Sequence, residues 1–314
     1  MNINDKYSKI VTDETLRETA YHGNEEYPFQ YYEEDIWQFD FHCIDWHWHS
    51  EIEFVFVKKG TAQFLVGGKR YVLTSGMGIF INTKAIHRFE ASESVIIPNI
   101  VFLPDLLSSK ESLIYRKYIW PILNSNIDCF VLTPNVNWQN TVLNLLLSVF
   151  SAQKTTNSHE IKTVELLLKL WTVLYENVEI KEDSSVSEVS ARTTAQLQIM
   201  MQYIHKNYSD HISLDDIAKT VSISKSSALN IFNKYLNTSP INYLVNYRLK
   251  RAARLLTNTD NSIFLIAQAT GFENVGYFCR KFKKLFQLTP SEYRKKAGFP
   301  YSNVGKYLCK KTEK

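Results

Sequence analysis

The chain has 314 residues, 45% of them hydrophobic and 13% aromatic, which excludes intrinsic disorder because such a composition can bury a core. The length suggests two domains of ordinary size. The net charge of +4 conceals a split. Residues 1–193 hold 17 Lys and Arg against 25 Asp and Glu, a net of −8, and residues 194–314 hold 19 against 7, a net of +12. A strongly basic C-terminal half calls for an acidic partner such as DNA, RNA or a membrane surface.

A membrane is the weakest of these. No run of about 18 apolar residues is present to span a bilayer. Met1-Asn2-Ile3-Asn4-Asp5-Lys6 lacks the apolar core of a secretory signal, so a cytoplasmic protein is expected. Cys43, Cys129, Cys279 and Cys309 lie far apart with no CxxC pair, and read as reduced thiols.

All six Trp fall before residue 193. Between Trp37 and Phe102 the pattern is short and strand-like. Ile52–Val57, Ala62–Val66, Arg70–Leu73 and Gly78–Ile81 are β-rich, with turns at Lys58-Lys59-Gly60 and Gly67-Gly68-Lys69. Hairpins at this spacing predict an antiparallel sandwich or barrel. His47-Trp48-His49 opens a further pattern, His-x-His-x3-Glu-x6-Gly ending at Glu53 and Gly60, followed by Gly76-x10-His87. This spacing resembles the two motifs of the cupin barrel. On an extended strand His47, His49 and Glu53 share one face. Three imidazoles and a carboxylate suit a divalent transition metal. They equally suit the wall of an organic-effector pocket, or a structural cluster. The sequence departs from the cupin pattern at Phe41, Asn82, Lys84 and Ala91, where glycine, proline, glycine and asparagine are usual; this favours an effector pocket of His47, His49, Glu53 and His87 over a metal. No cofactor is expected. Trp46 and Trp48 have the opposite parity and should pack outside, against helices or the N-terminal arm. Phe29, Tyr31, Tyr32 and Trp37 could stack on a sugar ring, making a carbohydrate a candidate effector, or serve as core. His22, His42, His159 and His211 carry no such spacing and read as surface or locally satisfied.

From Trp138 the period becomes helical, with helices expected over Gln139–Gln153 and His159–Val178. Residues 137–178 are read as a dimerisation segment after a sensor domain of residues 1–136. The polar, Ser-rich stretch 179–194 is read as a linker, 195–297 as an all-α domain and 298–314 as a tail. The expected fold class is therefore α+β.

The all-α part contains a repeat. Phe232, Lys234, Pro240 and Tyr243 recur fifty positions on as Phe282, Lys284, Pro290 and Tyr293. Ser213 and Ile217-Ala218 recur at forty-nine as Ser262 and Ile266-Ala267. Ser213 and Ser262 suit N-caps, and Ser239-Pro240 and Thr289-Pro290 suit an N-cap followed by proline at the first helical position. Each unit reads as helix, tight turn, helix, the arrangement whose second helix enters the DNA major groove. A helix over Ser239–Leu256 joins them, with a basic face of Arg248, Lys250, Arg251 and Arg254.

The run Gly271–Phe286, then Leu288-Thr289-Pro290-Ser291-Glu292-Tyr293-Arg294, resembles the signature of the AraC/XylS family of bacterial transcription regulators, and the likeness covers about residues 195–297. The resemblance implies a DNA-binding regulator and favours an activator, with promoter DNA, a small-molecule effector and RNA polymerase as partners, acting as a homodimer and not as an enzyme. It implies that helix 225–235 faces DNA through Ser226, Leu229 and Asn230, and helix 275–286 through Gly276, Tyr277 and Arg280, with Asn274 at its start. Arg280 could bind guanine in bidentate fashion, Asn230 could pair with adenine, and Leu229 could meet a thymine methyl. Lys225, Lys234, Lys281 and Lys284 suit phosphate. The alternative is a metal-dependent cupin enzyme with an accessory DNA-binding part.

Overall fold

A computed structural model of the chain describes residues 10–13, 15–154, 157–180 and 184–297. The chain divides into two compact units that meet at Arg192 and Thr193.

Among the described residues the first unit holds nine strands: β1 (Phe29–Asp35), β2 (Cys43–His47), β3 (Ile52–Phe56), β4 (Thr61–Val66), β5 (Lys69–Thr74), β6 (Gly78–Ile81), β7 (His87–Ala91), β8 (Ile96–Phe102) and β9 (Cys129–Leu132). They form two antiparallel sheets, ordered β1-β8-β3-β6-β9 and β2-β7-β4-β5. The expected barrel is therefore a two-sheet sandwich. Closure would require the outer strands to pair, and β1, β9, β2 and β5 each have one partner.

The five-stranded sheet is buried on both faces, which explains why Ile52–Val57 is apolar at every position but Glu53. Ile52 and Phe54 join Phe80, Ile100 and Phe102 beneath the helices. Val55 and Val57 join Ile79, Ile81 and Ile97 between the sheets, against Phe64 and Phe89 of the other sheet. Three helices follow: α1 (Trp120–Leu123), α2 (Asn137–Ala152) and α3 (His159–Asn177). Leu143 and Leu146 of α2, and Leu167, Leu170, Trp171 and Leu174 of α3, lie on the outer face of that sheet. Each such side chain, fully removed from water, contributes about 1.5–3 kcal/mol. Much of the apolar stripe read as dimer surface thus covers the sheet, while Ile161 and Leu168 stay 73% and 39% exposed.

The expected linker does not remain irregular. Helix α4 (Ser184–Asn207) runs through its second half. The stretch holds no Gly or Pro, so nothing in it breaks a helix. Residues 181–183 of that linker and the expected tail, 298–314, lie outside the described residues.

The second unit continues with α5 (Leu214–Lys219), α6 (Lys225–Leu236), α7 (Pro240–Asn258), α8 (Ile263–Ala269), α9 (Val275–Phe286) and α10 (Pro290–Ala297). The repeat is a repeat of structure. Ile217, Ala218, Phe232 and Tyr243 are buried, and so are Ile266, Ala267, Phe282 and Tyr293. Phe232 meets Tyr243 edge-on at 5.7 Å, and Phe282 meets Tyr293 at 5.4 Å. Ser213, Ser239 and Ser262 cap α5, α7 and α8 through their side-chain oxygens. The turn of each unit has one left-handed residue, Ser222 (φ +54°) and Gly271 (φ +81°), forty-nine positions apart.

Candidate functional site

The first unit has a cavity of about 200 Å³ lined by residues of both its sheets. The pairing of β2 with β7 sets His47 opposite His87, and a register shift between Ile44 and His47 precedes that pair. Glu53 enters from β3, on the facing sheet. The four predicted residues come together: His47, His49 and Glu53 line the cavity and His87 packs behind them against Glu53, each no more than 5% exposed. His49 Nε2 and His87 Nε2 lie 3.5 and 3.3 Å from Glu53 Oε2. The ligand atoms of His47, His49 and His87 all lie within 4.8 Å of one another, so this donor set fits a divalent ion.

Backbone carbonyls orient the rings. His47 Nδ1 faces Asp45 O at 2.8 Å, His49 Nδ1 faces Glu51 O at 3.2 Å, and His87 Nδ1 faces Ala85 O at 2.8 Å. A carbonyl only accepts, so each Nδ1 carries its proton and each Nε2 is turned inward. Burial, reinforced by neighbouring His87, pushes His47 down to about 3, so it stays neutral. Burial also works against charge on His49, but Glu53 outweighs it and raises that imidazole above its ordinary value. Burial works against the Glu53 charge as well, and the imidazoles of His49 and His87 override it, holding the carboxyl well below the usual range.

Five further polar residues line the wall, and the spacing of the histidines marks none of them. Glu18 and His22 come from the N-terminal arm, and Tyr32, Glu34 and Asn99 from β1 and β8. His22, read from sequence as surface or locally satisfied, is buried, with Nε2 3.4 Å from Glu18 and Nδ1 2.9 Å from the Tyr32 hydroxyl. The arm reaches the cavity because it docks on Trp48, whose indole N–H donates to Thr15 O at 2.9 Å. Trp48 thus packs outward as its parity predicted. Tyr32 and Asn99 are partners across β1 and β8, a long-range register that local pattern does not display. His42 is buried away from the cavity and stacks on Trp37 at 3.5 Å.

In the second unit, α6 and α9 follow the turns of the two repeats. Lys225, Ser226, Asn230 and Lys234 are exposed on α6, with Leu229 half-buried; Gly276, Tyr277, Arg280 and Lys284 are exposed on α9, with Lys281 half-buried. Asn274 is the N-cap of α9, its oxygen accepting from Tyr277 N at 2.8 Å. A Cβ at Gly276 would sit 3.2 Å from the capping oxygen of Asn274, a tight approach, and 3.5 Å from an Arg280 guanidinium nitrogen, an ordinary contact. Lys225 lies 3.5 Å from Asp215, and Lys281 lies over the Tyr277 ring at 5.4 Å. Arg248, read as part of a basic face, is instead tied to the fold: it donates to Tyr208 O and Asp210 O at 2.6 and 2.7 Å.

Two equivalent helix-turn-helix units with basic, exposed second helices define a DNA-binding protein, here joined to a cupin-like sandwich. A helix-turn-helix domain model matches residues 217–296, and a cupin domain model matches residues 43–97. The chain is 30% identical over 293 residues to the HTH-type transcriptional regulator YdeC of Bacillus subtilis, covering 91% of this chain and 98% of that protein. It is 27% identical to the lactose operon transcription activator of Staphylococcus xylosus (76% and 81% covered) and 25% identical to the HTH-type transcriptional activator RhaR of Mannheimia succiniciproducens (79% and 86%). Among solved structures, an AraC-type regulator from Chromobacterium violaceum is 33% identical over 35% of this chain and 98% of that chain, with a TM-score of 0.33. ToxT from Vibrio cholerae is 17% identical over 85% and 97%, with a TM-score of 0.37. The chain belongs to the AraC/XylS family of HTH-type transcriptional regulators, with an N-terminal cupin-type domain.

Proposed function

We propose that this regulator is a cytoplasmic, effector-controlled activator that works as a homodimer and has no catalytic role. The cavity of the first unit takes the effector, a compact polyhydroxylated molecule of carbohydrate type, on His47, His49, Glu53 and His87. The second unit reads promoter DNA. Arg280 suits guanine, Asn230 adenine and Leu229 a thymine methyl, while Lys225, Lys234, Lys281 and Lys284, flanked by Asn274 and Tyr277, suit the backbone. Ile161 and Leu168, exposed on α3, offer apolar surface for the second copy, and bound dimers would present their helices to RNA polymerase. The relatives' names as activators support the direction of control.

The observation that carries this reading is the joining of two equivalent, exposed basic helices to a cavity walled by buried His and Glu side chains in one chain. Two recognition helices should read major-groove segments roughly one turn, ~34 Å, apart. Selection from random duplex DNA by the full chain should return two boxes at that spacing. Recovery of unrelated sequences with equal affinity would defeat it.

The approach of His47, His49 and His87 supports a second reading, a resident divalent ion, which is also what the enzyme alternative needs. Elemental analysis of purified protein separates the two: stoichiometric metal with turnover would displace the effector reading.

A further inference from the structure

The cavity wall of the first unit offers hydrogen-bond acceptors to a ligand and almost no side-chain donors. His47, His49 and His87 each spend the Nδ1 proton on a backbone carbonyl, so a neutral ring shows a lone pair at Nε2. His49, where protonated, directs that second proton to Glu53 at 3.5 Å. The Asn99 amide donates to Glu34 at 2.9 Å and to Ile97 O at 3.3 Å. Glu18 at 3.4 Å places the His22 ring proton on Nε2, which leaves Nδ1 to accept from Tyr32. Three carboxylates, Glu18, Glu34 and Glu53, share the wall, and among the described residues that line it there is no Lys or Arg.

Three polar atoms around the cavity are buried without a hydrogen-bond partner: Glu53 Oε2 and His87 Nε2, which stand 3.3 Å apart, and His22 Nε2, 3.4 Å from Glu18. A buried polar atom left unpaired costs about 1–3 kcal/mol, more when charged. Glu34 faces the same cavity without a cation of its own. Burial, with Glu53 and Glu18 nearby, pushes its carboxyl up to about 7. Apolar Phe39, Ile44 and Val101 line the rest, making the space wider than a bare ion needs.

From this polarity we infer that the cavity takes a small ligand bearing a protonated amine, with Glu34 and Glu18 as its counter-ions, and rejects carboxylates and phosphates. The ammonium brings the donors and the positive charge that the wall lacks, while an acid would face three carboxylates. The inference rests on the cavity being the effector site and requires that effector, an amino sugar or a simpler amine, to carry an ammonium group.

The test uses the full-length protein and matched series: ethanolamine, putrescine and glucosamine; ethylene glycol, butanediol and glucose; glycolate, succinate and glucuronate. Thermal melts should shift upward with at least one amine and less with its neutral and acidic counterparts. Glu34→Gln should weaken the responding amine by roughly tenfold or more, the size of one hydrogen bond to a charged group. That variant should melt no lower than the parent without ligand, since it removes a carboxyl that burial penalises. Glu18→Gln is the second variant, expected to weaken the amine in the same direction. A neutral or acidic compound that outperforms its matched amine overturns the inference and leaves the effector cavity standing. Stabilisation by Zn²⁺ or Mn²⁺ alone, reversed by EDTA, overturns it in favour of the ion. No shift with any compound, while promoter binding is intact, removes the sensing reading together with this one.

Discussion

Phe41 and Lys84 occupy positions where the cupin pattern usually has glycine, and both keep a left-handed backbone, at φ +59° and +64°. The fold has retained the turn and lost the residue suited to it. For an L-residue that conformation costs roughly 1–2 kcal/mol. Lys84 is exposed, and its amide donates to His49 O at 2.8 Å, a bond that glycine would keep. Lys84→Gly should therefore stabilise the first unit by about 0.5–1 kcal/mol, read as a higher urea midpoint at unchanged slope; a lower midpoint refutes the strain. The same scale governs the response to pH. Burial keeps the His47 pKa near 3, so the folded protein refuses a proton that the unfolded chain accepts below 6.5. Stability linked to His47 is thus lost as pH falls from 6.5 toward 3. Glu34 acts with opposite sign: its contribution is full below 4.5 and is lost as pH rises through about 7. Urea titrations at pH 5 and pH 7 should show a smaller acid loss in His47→Gln than in the parent; an equal loss places the titration elsewhere.

At the level of elements, α6 and α9 have the same frame and different chemistry. Phe232 and Phe282 anchor them identically, while α9 carries Arg280, Lys281, Lys283 and Lys284 against two lysines on α6. Arg280→Ala should cost about 1–3 kcal/mol on the selected DNA site and relax sequence preference. Lys284→Ala should weaken all duplexes alike and lower the salt slope by about one. Fluorescence anisotropy on cognate and scrambled duplexes distinguishes them, and equal losses for both variants would assign Arg280 to phosphate. Asp215 draws in two lysines, Lys219 at 2.7 Å and Lys225 at 3.5 Å. Asp215→Asn should release Lys225 and tighten binding to every duplex, with a steeper salt dependence; unchanged affinity would show that Lys225 does not reach DNA.

For the whole molecule, two copies are proposed to meet through Ile161 and Leu168 of α3. Both are exposed while the rest of the helix's apolar stripe is covered by its own sheet. Ile161→Glu together with Leu168→Glu should give a monomer by light scattering and weaken binding to a two-copy promoter site more than to a single-copy one. A dimer that survives this change lies elsewhere.

How much could be read in advance follows from the range of the interactions. The repeat, the N-caps at Ser213, Ser239 and Ser262, the strand alternation and the His47, His49, Glu53 and His87 spacing are local patterns, because helix period, cap chemistry and pleat act over a few residues. They were enough for the family, the two-part plan and the duplex DNA partner, and they turned a net charge of +4 into an acidic sandwich and a basic helix-turn-helix pair. The helical course of residues 184–194, the two open sheets, and the fastening of Arg248 to two carbonyls depend on which segments meet at long range. So does the chemical character of the cavity. Glu18 and His22 arrive on an arm, Glu34 and Asn99 on strands set far apart along the chain, and only their convergence makes a chamber of acceptors. Burial then decides which of these groups hold charge, since desolvation and neighbouring charge exist only once the chain has closed around them.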